Sequence, residues 1–269
     1  MSDSCRLLKY SRSAFYKARV LTRKRKHVDT VVLDKVLAIK QVMPNIGGRK
    51  IHGLLRKTLL RSGHTELGRD RLFELLKEND LLVNRKRKYA VTTDSNHPFK
   101  RYPNLIKDKE ISRVNQLWVS DITYLKLSHG FCFLSLITDV RSRKIVGYYV
   151  NDTLELTGTV KALNRALKKD TPEIHHSDRG SQYCSYAYTD RLKSKGVKIS
   201  MTENGNCDEN AIAERVNGIL KSEFNLNANF KNLKQARKAV KQAVNTYNEL
   251  RPHWSINLKT PNQVYLKTA

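Results

Sequence analysis

The sequence predicts an α/β fold preceded by a helical region, and three observations carry that reading. The hydrophobic period changes near residue 112, from helical spacing to short β-rich runs. Beyond that point "LWVSDITYLKL", "FCFLSLITDV" and "KIVGYYV" are separated by the turn signals "SHG" and "RSR", the pattern of an antiparallel meander. Helical and strand-like segments then alternate, as they do where helices flank a sheet.

Taken in order, "SRSAFYKARV" offers Ser11 or Ser13 as the cap of a short helical stretch, followed by an exposed basic segment. The next helix covers Val31 to Met43, because Val32, Val36 and Ile39 repeat at helical spacing and Pro44 supplies a stop. Two further helices, about 49–61 and 69–79, are separated by "SGHTELG". That pair is compatible with a helix-turn-helix whose second helix carries Arg69 and Arg71 into a DNA groove; a small basic helical bundle reads equally well. Residues 92–112 hold two prolines, few large aliphatics and many charges, and are expected to be an exposed linker. The expected organisation is therefore a helical region compatible with DNA binding over 1–91, a linker over 92–112 and an α/β core with a C-terminal helical extension over 113–269. Within the core the meander is followed by a helix from Leu154 to Lys168, a strand from Ile174 to Ser177, a helix from Tyr186 to Lys195, the strand "VKISM" and a long helix opening near Glu209.

Composition bounds the partners. The 51 Lys and Arg against 25 Asp and Glu give a net charge of +26, well beyond what solubility requires, so the chain is expected to seek a polyanion. The sharpest basic runs are Arg23 to Lys26 and "NRKRKY", with Arg85, Lys86, Arg87 and Lys88 as candidate DNA contacts. The longest apolar run is far shorter than the roughly 20 residues of a membrane helix, and a cytoplasmic protein without a membrane partner is expected. The four cysteines are spread without a CxxC pair, which argues against a disulfide framework or a zinc ribbon.

Three carboxylates stand where chemistry is expected. Asp121 lies mid-strand among core residues, where an ionised side chain needs a partner such as a cation. Asp178 closes a strand just before Gly180, the end of an α/β sheet where ligands gather. Glu214 shares a helical stripe with Asn210, Asn217 and Lys221, while the apolar Ile212, Val216, Leu220 and Phe224 form another; Lys221 is placed to meet a phosphate. Each has a bland alternative: a satisfied core aspartate, a turn residue, an exposed helical glutamate. Together they form an oxygen-donor set suited to Mg²⁺ and to in-line displacement at phosphorus. His175, His176, Asp139, Tyr183, Arg251 and His253 are weaker candidates, for DNA positioning, a fourth ligand, base stacking or bracing of the core.

"WVSDITY", "HHSDRGSQY" and "DENAIAERVNGILKSE" resemble the signature segments of DDE transposases with a retroviral-integrase catalytic core. "YNELRPHWSINLKTPNQVY" resembles the C-terminal signature of insertion-sequence family three, and "GGRKIHGLL" through "ENDLLVNRKRKY" its upstream helix-turn-helix segment. The resemblance implies an RNase H-like fold, with a mixed five-stranded sheet and flanking helices. It implies Asp121, Asp178 and Glu214 as catalytic ligands of two Mg²⁺ (or Mn²⁺) ions, cleavage at transposon ends, and strand transfer into target DNA. It also implies self-association on DNA, a bacterial nucleoid setting, and fusion with the product of an upstream reading frame. Two departures stand out: Glu209 is added where relatives read "DNA", which bears on Asp208, and the His-His-Cys-Cys zinc module of retroviral integrases is not found. The competing functions are a catalytically inactive, transposon-derived DNA-binding regulator and an RNase H-like nuclease with another substrate. Three acids in so basic a protein favour catalysis over binding alone.

Overall fold

A computed structural model of the chain describes residues 11–61, 67–83, 98–107, 109–203 and 210–266. The chain forms two compact units, Met1–Arg85 and Lys86–Ala269.

The first unit is helical. Helix α1 runs from Arg12 to Val42, capped by Ser11, whose side chain accepts from the Ala14 N–H. The basic segment expected to interrupt it is helical instead, a correction with a simple cause. Lys and Arg are good helix formers, so a basic run gives the backbone no reason to break. Helices α2 (Gly48–Arg61) and α3 (Arg69–Glu78) follow the expected spans closely. The unit buries Val32, Val36, Ile46, Ile51, Leu72 and Leu76. Ring nitrogen Nε2 of His52 on α2 lies 2.9 Å from the Leu67 carbonyl, just ahead of α3.

The second unit holds a mixed five-stranded sheet in the order β3-β2-β1-β4-β5. Strands β1 (Leu117–Lys126), β2 (Phe131–Asp139) and β3 (Ile145–Asn151) form the antiparallel meander. Helix α4 (Leu156–Leu167) then crosses to β4 (Ile174–Ser177), which runs parallel to β1. A single turn, α5 (Ser181–Cys184), and helix α6 (Tyr186–Lys193) lead to β5 (Lys198–Met201), parallel to β4. Helices α7 (Ala211–Glu223), α8 (Leu233–Glu249) and α9 (Pro261–Tyr265) complete the unit.

Alternation along β1 divides the core. Trp118 belongs to a cluster with Ile137, Ala162, Leu163, Leu192 and Met201, whereas Leu117 and Val119 pack with Val140, Ile174 and Ala213 of α7. Gly147 lets α4 lie directly on the sheet: a Cβ there would stand 2.5 Å from the Ala162 carbonyl oxygen. Residues 98–107 and 109–112 carry no helix or strand, but they do not hang free as an exposed linker would. Phe99 and Tyr102 pack on the Trp118 cluster, and the Leu105 N–H donates to Ser200 Oγ at 2.8 Å. Residues 92–97 lie outside the described residues.

Candidate active site

The sheet register brings the two aspartates together. β1 and β4 are paired in parallel from Leu117↔Ile174 to Val119↔His176, so Asp121 and Asp178 occupy the equivalent positions two residues further on. Neighbouring strands lie about 4.8 Å apart, which sets the two residues side by side at the level where β4 terminates and β1 runs on. The Gly180 N–H donates to Asp178 Oδ1 at 3.1 Å and fixes the turn that leaves β4. The Ile122 N–H donates to Asp121 Oδ1 at 2.8 Å.

Helix α7 reaches the same end through two asparagines. Asn210, its N-cap residue, donates from Nδ2 to the Ser120 carbonyl at 3.1 Å, and Asn217 donates from Nδ2 to Asp121 Oδ2 at 2.7 Å. These anchors are two helical turns apart, and Glu214 stands between them, exposed, in the first turn. Burial, then Asp178, and more weakly Glu214 push the Asp121 carboxyl up to about 7, against the opposing hydrogen bonds from Asn217 and Ile122. Lys221, one turn beyond Asn217, lies with its Nζ 4.4 Å from the Tyr124 ring centre. Burial draws its ammonium below the usual range, and the Asp121 charge opposes that shift.

Among the described residues no three His, Cys, Asp or Glu side chains are drawn together as a finished ion site. The donor set nevertheless fits a hard divalent cation. Its donors are all carboxylate oxygens, and the Asp121 carboxyl resists ionisation because it is buried and, secondarily, because the Asp178 charge lies near it. The sequence stripe had placed Asn217 beside Glu214 without giving it a role. Its contact with Asp121 depends on the tertiary approach of α7 to β1.

Other candidates find structural roles. Glu223, the last residue of α7, is held by both nitrogens of a fork: Arg251 Nε and NH2 each donate to it at 2.8 Å. Arg251 also lies against Tyr247 and donates to His253 Nε2 at 2.9 Å, so the pair braces the core. Asp139 is fully buried and accepts from the N–H groups of Ser142 and Asn115 and from the Ser142 hydroxyl, which is turn chemistry. Tyr183 packs edge-on against Tyr188 in the core and cannot stack on a base. His176 is buried, with Nδ1 2.9 Å from Ser200 Oγ.

His175 is buried beneath the site, its Nε2 within 2.7 Å of Ser120 Oγ and 3.0 Å of the Tyr188 hydroxyl. Burial, and secondarily His176, holds its imidazole down to about 3. An imidazole kept neutral by the fold lets the unfolded chain take up the proton first. Stability is therefore complete above about pH 6.5 and is lost as pH falls toward 3. Replacing His175 with Gln should flatten the fall in melting temperature between pH 7 and pH 5, where the histidine alone costs roughly 2 kcal/mol. A variant with the same acid profile as the wild type would contradict this account.

Of the DNA-contact candidates, Lys221 belongs to the site. Arg69 pairs with its neighbour Asp70 at 2.8 Å in full exposure. Arg71 is shared by Asp29, Glu74 and Glu78 at 2.6, 3.2 and 3.6 Å. Arg85, Lys86, Arg87 and Lys88 lie outside the described residues, as do Asp208 and Glu209 and the side chains of Arg23 to Lys26.

Comparison with known proteins gives a consistent picture. Two family models described as "Integrase core domain" match residues 111–207 and 195–261. The 31 kDa protein of insertion element IS600 from Shigella sonnei is 37% identical over 257 residues, covering 93% of this chain and 92% of that protein. The transposase InsF for insertion sequence IS3A of Escherichia coli K12 is 31% identical over 238 residues, covering 81% and 77%. Among solved structures, a simian T-cell lymphotropic virus intasome in complex with PP2A regulatory subunit B56 gamma aligns over 81% of this chain and 74% of that chain. Its TM-score is 0.50 at 20% identity, a likeness of fold.

Proposed function

This chain belongs to the insertion-sequence transposases of IS3 type, with an integrase core, and we propose that Asp121, Asp178 and Glu214 are the acids through which it cuts and joins DNA. The carrying observation is that two aspartates take equivalent positions on adjacent parallel strands, Asp121 in the middle of β1 and Asp178 just beyond β4, while α7, pinned to Asp121 by Asn217, presents Glu214. The enzyme cleaves DNA strands at transposon ends and transfers them into a target. Mg²⁺ or Mn²⁺ held by the three acids, as two ions, would activate the attacking oxygen and stabilise the leaving one.

The chain's own residues prepare that chemistry. Asn217 and the Ile122 N–H each occupy one oxygen of Asp121, so its orientation is fixed before DNA arrives. Glu214 is exposed and free to swing toward the aspartates. Lys221 brings a positive charge to the same end of the sheet, suited to a phosphate of the bound strand. In strand transfer the 3′-hydroxyl gives up its proton and bonds to phosphorus as the target's bridging oxygen leaves, so one phosphodiester replaces another.

Self-association on paired ends and fusion to an upstream-frame product belong to the same reading, with the chain acting at the nucleoid. Among the described residues no helix is long and apolar enough to cross a membrane. The deciding experiment compares wild type, Glu214→Asp and Glu214→Gln, alone and in the fused form, on a duplex carrying the terminal repeat. Shortening the side chain by one methylene shifts its oxygens by about 1 Å and should cost about 100-fold in cleavage, with DNA affinity unchanged. Wild-type cleavage by Glu214→Asp would remove Glu214 from the ligand set, and cleavage in EDTA would remove the metal.

A further inference from the structure

One edge of the sheet gathers positive charge without a counter-charge. Strand β3 is the outermost strand on the meander side, so its outward main-chain groups have no further strand to pair with. The two helices packed against it are both basic. Helix α4 carries Lys161 and Arg165 and no acid, and α8 carries Lys234, Arg237, Lys238 and Lys241, with Glu249 at its last residue as its only acid.

Three of these cations converge on a single ring, that of Tyr149 in β3. Lys161 Nζ lies 4.9 Å from its centre, the Arg165 guanidinium carbon 4.9 Å and the Arg237 guanidinium carbon 5.7 Å. Lys161 and Arg165 stand four apart on α4 and so share one face, where like charges oppose each other; Arg237 arrives from α8. All three side chains are exposed, and Tyr149 is half-buried beneath them. A ring attracts one cation weakly, but it does not neutralise three.

The hydrogen bonds show that the cluster is ordered and what it leaves unused. Arg165 NH1 donates to the Tyr148 carbonyl at 3.1 Å, and Arg237 Nε donates to the Val150 carbonyl at 3.1 Å. Lys161 Nζ donates to the Tyr149 hydroxyl at 3.4 Å. Blunting a bare sheet edge accounts for one N–H of each guanidinium and for nothing at Lys161. Among the described residues none of the three forms an ion pair, so the other N–H groups of each fixed fork face outward without a carboxylate.

We infer that this edge is a phosphate-binding site, formed by Lys161, Arg165 and Arg237 around Tyr149, that holds the backbone of bound DNA away from the phosphate being cut. Tyr148 is in register with Leu136, and Leu136 with Asp121, so the site stands level with the catalytic aspartate, two strand spacings or about 10 Å out from β1. The choice of DNA rests on the transposase reading above. A second copy of the chain docked across this edge would set α4 and α8, both basic, against the same two helices, so charge complementarity points to a polyanion.

The test uses the full chain and a labelled duplex of arbitrary sequence, with affinity read by fluorescence anisotropy from about 50 to about 200 mM salt. Replacing Lys161, Arg165 and Arg237 together with Gln should make the slope of log K against log salt shallower by about 2–3 and weaken binding at about 0.1 M salt on the order of 100-fold. Replacing the two arginines with Lys should leave the slope in place. The control removes the same charge from the other side of the sheet: Lys193, Lys195 and Lys198 changed together to Gln should alter the slope by less than about 1. Circular dichroism checks that the triple variant folds. If it does not, chemical modification of the wild type decides the matter, because the duplex should protect Lys161 from acetylation and Arg165 and Arg237 from phenylglyoxal, and polyglutamate should not.

An unchanged slope in the triple variant, an equal change in the control, or protection by polyglutamate but not by duplex would overturn the inference. If the wild type still cleaves a terminal-repeat duplex, the catalytic reading stands in each of those cases. A wild type that binds no duplex at all would overturn both.

Discussion

Asp121→Asn is expected to reduce DNA cleavage by more than about 10³-fold and, in the same molecule, to raise the melting temperature of the metal-free chain at about pH 8. Changes to residues that merely support a ligand cost about 10–100-fold, so removing a proposed ligand should cost more. The gain in stability has a separate origin. Burial and the nearby Asp178 and Glu214 charges push the Asp121 carboxyl up to about 7, so ionising it works against the fold. Below about pH 4 the group is protonated in both folded and unfolded chains and makes no difference. The penalty grows as pH rises through that range and is complete above about 7. Discounted for partial exposure, it is on the order of 2 kcal/mol, or roughly 4–8 °C for a unit of this size.

Asparagine removes the charge at little cost to the hydrogen bonds. Its carbonyl can still accept from the Ile122 N–H, and Asn217, whose Oδ1 has no partner among the described residues, can turn its amide to accept from the new side-chain nitrogen. Added Mg²⁺ should then stabilise the wild type at about pH 8 and have little effect on the variant. A variant less stable than wild type at that pH, or one with an equal response to the cation, would mean that charge crowding does not govern Asp121. The coexistence of lost activity and gained stability would mark the site as one where function is held against the fold.

How much of this was legible without coordinates depends on how local the cause is. The strand Ile174–Ser177 is legible to the residue, because its apolar start and its Gly-containing exit are adjacent in sequence. The meander was equally plain, since its turns carry their own signals. Asp121 was recognisable from the cost of a carboxylate inside an apolar strand. The continuous α1 was not, because a basic run looks like a break unless one weighs the helix propensity of Lys and Arg. Packing of residues 98–107 is also hidden: polar composition suggests a linker, but Phe99 and Tyr102 pack on the Trp118 cluster. Least legible were contacts between distant residues, such as Asn217 with Asp121 and Arg251 with Glu223. No spacing rule links positions 96 or 28 apart; only the path of the chain over the sheet does.

The contact between Arg251 and Glu223 leads to the second large effect. Arg251→Ala should destabilise the second unit by about 3–5 kcal/mol, because the Glu223 carboxylate, only 14% exposed, would keep its charge and lose its fork of donors. Lys at the same position should recover part of the loss, since it restores charge but not the two parallel bonds. The double change Arg251→Met with Glu223→Gln should be milder than Arg251→Ala alone, because no unpaired charge remains buried. Both tryptophans, Trp118 and Trp254, lie in this unit, so urea unfolding followed by their fluorescence reports on it without interference from the helical one. Glu223 ends α7, the helix that carries Glu214, and Asn210 and Asn217 hold its other end and its middle. Loosening the Arg251 end should therefore also slow cleavage in variants that remain folded, with Lys closer to wild type than the double variant is. If Arg251→Ala unfolds at wild-type urea concentration, the buried pair is not what fixes α7, and the two asparagines must suffice.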